Sequence, residues 1–152
     1  MAVSDAIERE IVLPSTRSEV WDALTTAEGL AGWWWDTVEI DLRVGGVISF
    51  GYGEGAYPAR VEVVRSEECY VFPWRSFQTE EGADDVPDLT TRVEFRLEDH
   101  PEGTLLKLRE TGFVALPEAL AARTLHLNES GWDTELQHLR SYVVNGEAVV
   151  RG

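Results

Sequence analysis

The feature that most constrains this chain is a change of hydrophobic period. Between Thr37 and Gly112 the apolar residues recur at every second position, and beyond Pro117 they recur every 3.6. The strongest alternation runs from Leu89 to Glu98. Leu89, Thr91, Val93, Phe95 and Leu97 lie on one side, and Thr90, Arg92, Glu94, Arg96 and Glu98 on the other. After the switch, Leu125, Asn128, Trp132, Leu136, Leu139 and Val143 share one face of a helix expected from Pro117 to about Asn145. Pro117 suits a first helical position, and Gly146 suits the residue just past the end. Strands with one apolar face and a long helix with one apolar stripe must bury each other. That predicts an α+β fold in which helices cover one side of an antiparallel sheet.

The other elements follow from alternation and capping. Ile7 to Leu13 alternates as a strand and stops at Pro14. Thr16 with Glu19, then Thr25 with Glu28, are capping-box patterns that predict two short helices, the second from Ala27 to Trp33. Val38, Ile40 and Leu42 begin the strands. Gly45-Gly46 predicts a tight primed hairpin turn back into Val47–Tyr52. Further strands are expected at Tyr57–Arg65, Glu68–Phe77 and Thr104–Gly112, with an acidic loop from Glu80 to Asp88. The predicted order is strand, two helices, six strands and a long helix, about seven strands in one sheet within a single domain, 1–152.

Charge narrows the function. The 28 acidic against 13 basic residues give a net charge of −15. Nucleic acid is not an expected partner, because phosphate is bound by clustered Lys and Arg. Insertion into a membrane is not expected either, since no apolar run reaches spanning length. Cys69 is the single cysteine, which excludes an intrachain disulfide and favours a reducing compartment. With charges throughout Met1–Glu10 where a leader's apolar segment would lie, the expectation is cytoplasmic. His126 and His138 stand too far apart on the helix to share a metal ion, and no Cys-x-x-Cys or His-x-x-x-His spacing occurs, so no metal or cofactor is expected.

Two sets of residues stand out. Six tryptophans are many for 152 residues. Trp33, Trp34 and Trp35 cannot all face inward from one helix or strand face, so at least one should be partly exposed or sit at an opening. Trp21 and Trp132 read as core, and Trp74 as pocket lining. The second set is Arg9 and Glu110. Alternation places each on an apolar face, and if the first and last strands are neighbours the two should form a buried ion pair.

Several stretches in this order resemble a known family: Val20-Trp21-Asp22-Ala23-Leu24-Thr25, Trp33-Trp34-Trp35, Asp41-Leu42-Arg43-Val44-Gly45-Gly46, Phe72-Pro73-Trp74-Arg75, Thr111-Gly112-Phe113 and Gly131-Trp132. From Ile7 to Tyr142 the chain resembles the START-like helix-grip superfamily, also called SRPBCC. Within it, the resemblance is to the family named after the activator of the heat-shock-protein-ninety ATPase. The resemblance implies a curved sheet gripping the long helix around a cavity. It also implies an apolar or aromatic small molecule, lipid-like or polyketide-like, as ligand, with binding expected rather than catalysis. The candidate ligand-binding residues are Arg9, Trp33, Trp34, Trp35, Phe50, Tyr57, Phe72, Trp74, Phe95, Glu110 and Trp132. The alternatives are a cyclase or aromatase using Glu110, Arg9, Tyr57 or His126, and a chaperone partner in the manner of an ATPase activator. Either a monomer or a homodimer suits these readings.

Overall fold

A computed structural model of the chain describes residues 5–35, 37–52, 55–77, 82–86 and 89–148. Its order is β1 (Ala6–Leu13), α1 (Arg17–Thr25), α2 (Ala27–Trp33), β2 (Thr37–Ile40), β3 (Val47–Tyr52), β4 (Gly55–Arg60), β5 (Val63–Arg65), β6 (Cys69–Trp74), β7 (Thr91–His100), β8 (Gly103–Thr111) and α3 (Glu118–Asn145). Two sheets form, ordered β1-β8-β7-β6-β5 and β2-β3-β4, and every strand pair is antiparallel. The fold is therefore α+β.

The expected single strand Tyr57–Arg65 is divided between the sheets. β4 pairs with β3 and β5 with β6. The two residues between them remain bonded: Val61 N–H donates to Gly46 O at 2.9 Å, and Glu62 N–H to Val71 O at 2.9 Å. One bent segment thus carries the chain from the smaller sheet to the larger, giving eight strands among the described residues instead of about seven.

Two other local expectations are corrected. The primed two-residue hairpin is instead a longer connection, 41–46. Only Gly45 has positive φ, 82°. Gly46 is needed for a different reason: a Cβ there would stand 2.1 Å from Asp41 O. At α2 the cap is Thr26, whose hydroxyl accepts from Gly29 N–H at 2.9 Å. Thr25 is instead buried at the end of α1, donating to Trp21 O at 2.7 Å. The first cap is as read, with Thr16 accepting from Glu19 N–H.

α3 is 28 residues long, about 42 Å at helical rise. It buries Leu120, Ala121, Thr124, Trp132, Leu136 and Leu139. Pro117 is its N-cap, one residue earlier than expected, and Gly146 ends it in the left-handed region at φ 69°. The main core lies between α3, the short helices and the sheets. A smaller core of Phe77, Ala83, Leu116, Leu120 and Ala121 packs by the start of α3. Arg75 braces it, donating to the carbonyls of Ala83, Val86 and Leu89, each at 2.7 Å, with its guanidinium over the Phe77 ring.

Within the main core Tyr70 is buried among Trp21, Phe72 and Phe95, and its hydroxyl has no hydrogen-bond partner among the described residues. Burial pushes that phenol far above its ordinary range. A buried donor without an acceptor costs about 1–3 kcal/mol. Tyr70→Phe is therefore expected to be neutral or to stabilise by about 1 kcal/mol. Urea denaturation checks this, and a loss above about 1 kcal/mol would reveal a partner for the hydroxyl.

Candidate functional site

Aromatic rings fill the space between α3 and the sheets. Trp34 is central: its ring lies 5.0 Å from Trp132, 5.1 Å from Phe50, 5.2 Å from Trp74 and 6.2 Å from Phe72. α2 ends at Trp33, and Trp34, its C-cap, stacks on Trp33 at 5.4 Å and packs, partly buried, against the core. The interior at this level is packed, and concave space remains beside it. A pocket of 160 Å³ is lined by Trp34, Trp74, Ser76, Asn128, Gly131, Trp132 and Glu135. The end of β6, the α2 cap and the middle of α3 supply its walls. Larger depressions lie elsewhere, 470 Å³ over the turns near Pro14 and His100 and 280 Å³ on the outer sheet face. A further one of 210 Å³ lies by Tyr142 and Val143, and none of the three has a tryptophan in its lining.

Beneath the pocket lies Glu110, fully buried. Trp132 Nε1 donates to its Oε1 at 2.8 Å, and Asn128 Nδ2 donates to its Oε2 at 3.0 Å. Thr91 Oγ1 stands 2.5 Å from Oε2 and 3.1 Å from Trp74 O. The Thr91 hydroxyl has one hydrogen for those two acceptors. A protonated Glu110 removes the conflict, since its O–H can donate to Thr91 Oγ1 while Thr91 donates to Trp74 O. Burial acts in the same direction and raises the carboxyl above its usual range, opposed by the bonds from Thr91, Trp132 and Asn128. Asn128 Nδ2 also donates to Ser76 Oγ at 2.8 Å. Glu110 thereby fixes two lining residues, Asn128 and Trp132, without itself reaching the pocket.

The sequence pattern of one family, described as Activator of Hsp90 ATPase homolog 1-like protein, matches residues 14–144. The chain belongs to this family. No curated protein matches it. Among solved structures, protein MLL2253 from Mesorhizobium loti is similar at 18% identity and TM-score 0.77, over 93% of this chain and 97% of that one. The Aha1 dimer from Colwellia psychrerythraea is similar at 17% identity and TM-score 0.72, over 98% and 100%. DynU16, a putative protein in the dynemicin biosynthetic locus, is similar at 18% identity and TM-score 0.73, over 95% of this chain and 49% of that one. These likenesses concern the fold.

Within this Hsp90 ATPase activator-like frame, the candidate residues separate. Trp34, Trp74 and Trp132 line the pocket, Trp132 being both core and wall. Phe50, Phe72 and Phe95 are fully buried and contact Trp34. Trp35 is partly buried, near Phe50 and Trp74. Trp33 lies deeper, its Nε1 donating to Ala23 O at 2.8 Å, and serves packing. The Tyr57 side chain lies outside the described residues, and His126 is exposed on α3.

The expected Arg9–Glu110 pair does not form. The strands are neighbours and both residues lie on the predicted face, but Ile7 stands opposite Glu110 and Arg9 opposite Leu108. Arg9 reaches α3 instead, 2.7 Å from Asp133 and 3.8 Å from Glu129. A long side chain on an edge strand finds carboxylates nearer to water, which spares it burial. Ser76, Thr91, Asn128, Gly131 and Glu135 are new to the site. Thr91 and Asn128 carry a readable signal, each being polar within an apolar stripe. Ser76 and Glu135 carry none, because their places depend on where β6 ends against α3.

Proposed function

We propose that the protein binds a small molecule by accepting its apolar head group into the tryptophan-walled pocket. The observation that carries this reading is convergence. Three indoles from three separate elements meet at one opening, with Ser76 and Asn128 as the polar end. Ligand sites combine apolar walls with a few placed polar groups in this way. The pocket volume supports a head group rather than an engulfed lipid, because drug-sized ligands occupy about 300–1,000 Å³. Binding is favoured over catalysis because both Glu110 oxygens are engaged beneath the wall. A reducing, cytoplasmic setting suits the buried, free Cys69. Among the described residues no helix is long and apolar enough to cross a membrane.

Native mass spectrometry of protein purified from its own source would reveal a retained molecule. Tryptophan fluorescence and ligand-observed NMR with a panel of small aromatic and aliphatic compounds test the pocket directly. Gly131→Leu is the expected blocking variant. A Cβ at Gly131 meets open space within 4 Å, and leucine favours a helix by about 1 kcal/mol over glycine. The variant should fold at least as well as the parent and lose binding. A flat response to the whole panel, or undiminished binding in Gly131→Leu, would refute the reading.

Family membership supports a second role, contact with a chaperone ATPase, in which the chain acts as a monomer or a homodimer. ATP hydrolysis by the chaperone, measured with and without this protein, decides it. An unchanged rate counts against it.

A further inference from the structure

We infer that the pocket selects a neutral hydroxyl, an alcohol or a phenol, as the ligand's polar group and receives it as a hydrogen-bond donor. The inference rests on the pocket being a ligand site and adds the chemistry that the site recognises.

The hydrogens of Ser76 and Asn128, the polar end of the pocket, are already engaged. Asn128 Nδ2 has two. One goes to Ser76 Oγ at 2.8 Å and the other to the Glu110 carboxyl at 3.0 Å. The Ser76 hydroxyl has one, and it donates to Asn128 Oδ1 at 3.1 Å. Lone pairs remain. Ser76 Oγ and Asn128 Oδ1 each have two, and each uses one in these bonds. A ligand hydroxyl can donate to either oxygen and leave every bond in place. A ligand carbonyl would have to draw the Ser76 hydrogen away from Asn128 Oδ1. Glu110 fixes this polarity, because its carboxyl holds the nitrogen side of the Asn128 amide.

Gly131 is a second, independent observation. Glycine weakens a helix interior, and packing does not require it here, since an added Cβ would meet nothing within 4 Å. The glycines of α2 differ: a Cβ would stand 2.4 Å from Asp22 O at Gly29 and 2.3 Å from the Tyr142 ring at Gly32. Gly131 lines the pocket, and Asn128 and Gly131 stand at i and i+3 on one face of α3. Its bare backbone leaves room for a ligand's carbon skeleton to lie against the helix, with the hydroxyl at Asn128.

The rest of the lining agrees. The indoles are a boundary: Trp34 packs on Trp132 at 5.0 Å and on Trp74 at 5.2 Å, so no group enters between them. Glu135 Oε2 lies 3.4 Å from His138 Nδ1 and is engaged there, which leaves recognition to Ser76 and Asn128. The described lining has no Arg, Lys or His, so a carboxylate ligand finds no counter-charge. A primary ammonium brings three hydrogens to two acceptors and loses its hydration.

The test uses the full chain and two probes of one ring size, cyclohexanol and cyclohexanone. The alcohol can donate, and the ketone can only accept. Isothermal titration should show cyclohexanol binding about tenfold more tightly. Ser76→Ala should abolish that preference. Removing Oγ frees an Asn128 Nδ2 hydrogen for the ligand, so cyclohexanone should gain until it binds about as well as cyclohexanol. Circular dichroism and thermal melting check that the variant keeps its fold. Equal affinities in the parent, or a preference for the ketone, would overturn the hydroxyl, and so would an unchanged ratio in Ser76→Ala. If Gly131→Leu abolishes binding of both probes in those cases, the head-group site still stands. If neither probe binds the parent, the hydroxyl is overturned too, and the wider panel with Gly131→Leu separately decides whether the pocket is a site at all.

Discussion

Glu110→Leu is expected to destabilise the protein by about 4 kcal/mol, whereas Glu110→Gln should stay within about 1 kcal/mol of the parent at low pH. Leucine removes the acceptor for Trp132 Nε1 and for Asn128 Nδ2, leaving buried donors that each cost about 1–3 kcal/mol. Glutamine keeps an oxygen at the Oε1 position, within reach of Trp132 Nε1 at 2.8 Å and Asn128 Nδ2 at 3.2 Å, and its amide can donate to Thr91 Oγ1 as the protonated acid does. The comparison becomes more telling as pH rises. Burial raises the Glu110 carboxyl in the folded state above the 4.5 of an unperturbed glutamate. A raised carboxyl contributes stability that is complete below the unfolded value and is lost as pH climbs through the folded one. The parent should therefore lose stability relative to Glu110→Gln above about pH 4.5, until the folded carboxyl has ionised, with no further change beyond. Guanidinium denaturation of both proteins across pH measures the difference. A pH-independent difference would show that the carboxyl is not perturbed. A cost below about 1 kcal/mol for Glu110→Leu would show that the buried bonds are not made.

Trp34→Ala should cost about 3 kcal/mol, at the lower end of the range for removing a buried aromatic because Trp34 is partly exposed. The missing indole leaves space bounded by Phe50, Phe72, Trp74 and Trp132, continuous with the existing pocket. An apolar void of this kind stays dry and accepts an apolar guest. Added indole should raise the melting temperature of Trp34→Ala by several degrees and leave the parent nearly unchanged. Thermal denaturation with and without indole checks both halves. A loss under about 1 kcal/mol, or no rescue, would mean that the ring does not fill the core as described.

Much of the architecture could be read directly. Pro117 and Gly146 bracket α3 to within a residue, because backbone chemistry restricts both residue types at helix ends. The alternation through Thr91, Val93, Phe95 and Leu97 coincides with the buried side of β7. Thr25 reads as the second cap where Thr26 holds the place, because adjacent threonines offer the same hydroxyl and only helix geometry decides which one caps. The division of 55–65 between two sheets leaves no local mark, since β4 and β5 are equally extended and differ only in partner. The site was legible in its residue types more than in its pairings. Alternation correctly put Arg9 and Glu110 on inward faces, but the choice between Asp133 and Glu110 as partner depends on how α3 crosses the sheet. Asn128 could be seen as a polar residue in an apolar stripe, yet its role appears only once Ser76 and Glu110 stand on either side of it.

The pairing of β1 with β8 has a consequence for biosynthesis. β1 is made first and lies at the edge of its sheet, and Ala6 pairs with Thr111 and Leu13 with Thr104. At translation rates of about 5–20 residues per second, its partner emerges roughly 5–20 s later. During that interval Ile7, Ile11 and Leu13 have no β8 to lie beside, and α3, which completes the core, comes later still. Closure of the five-stranded sheet is therefore a late, long-range event, of the kind that slows folding in sheet proteins. The alternating Glu8, Arg9 and Glu10 place charges along this waiting strand, which discourages its pairing with another nascent chain.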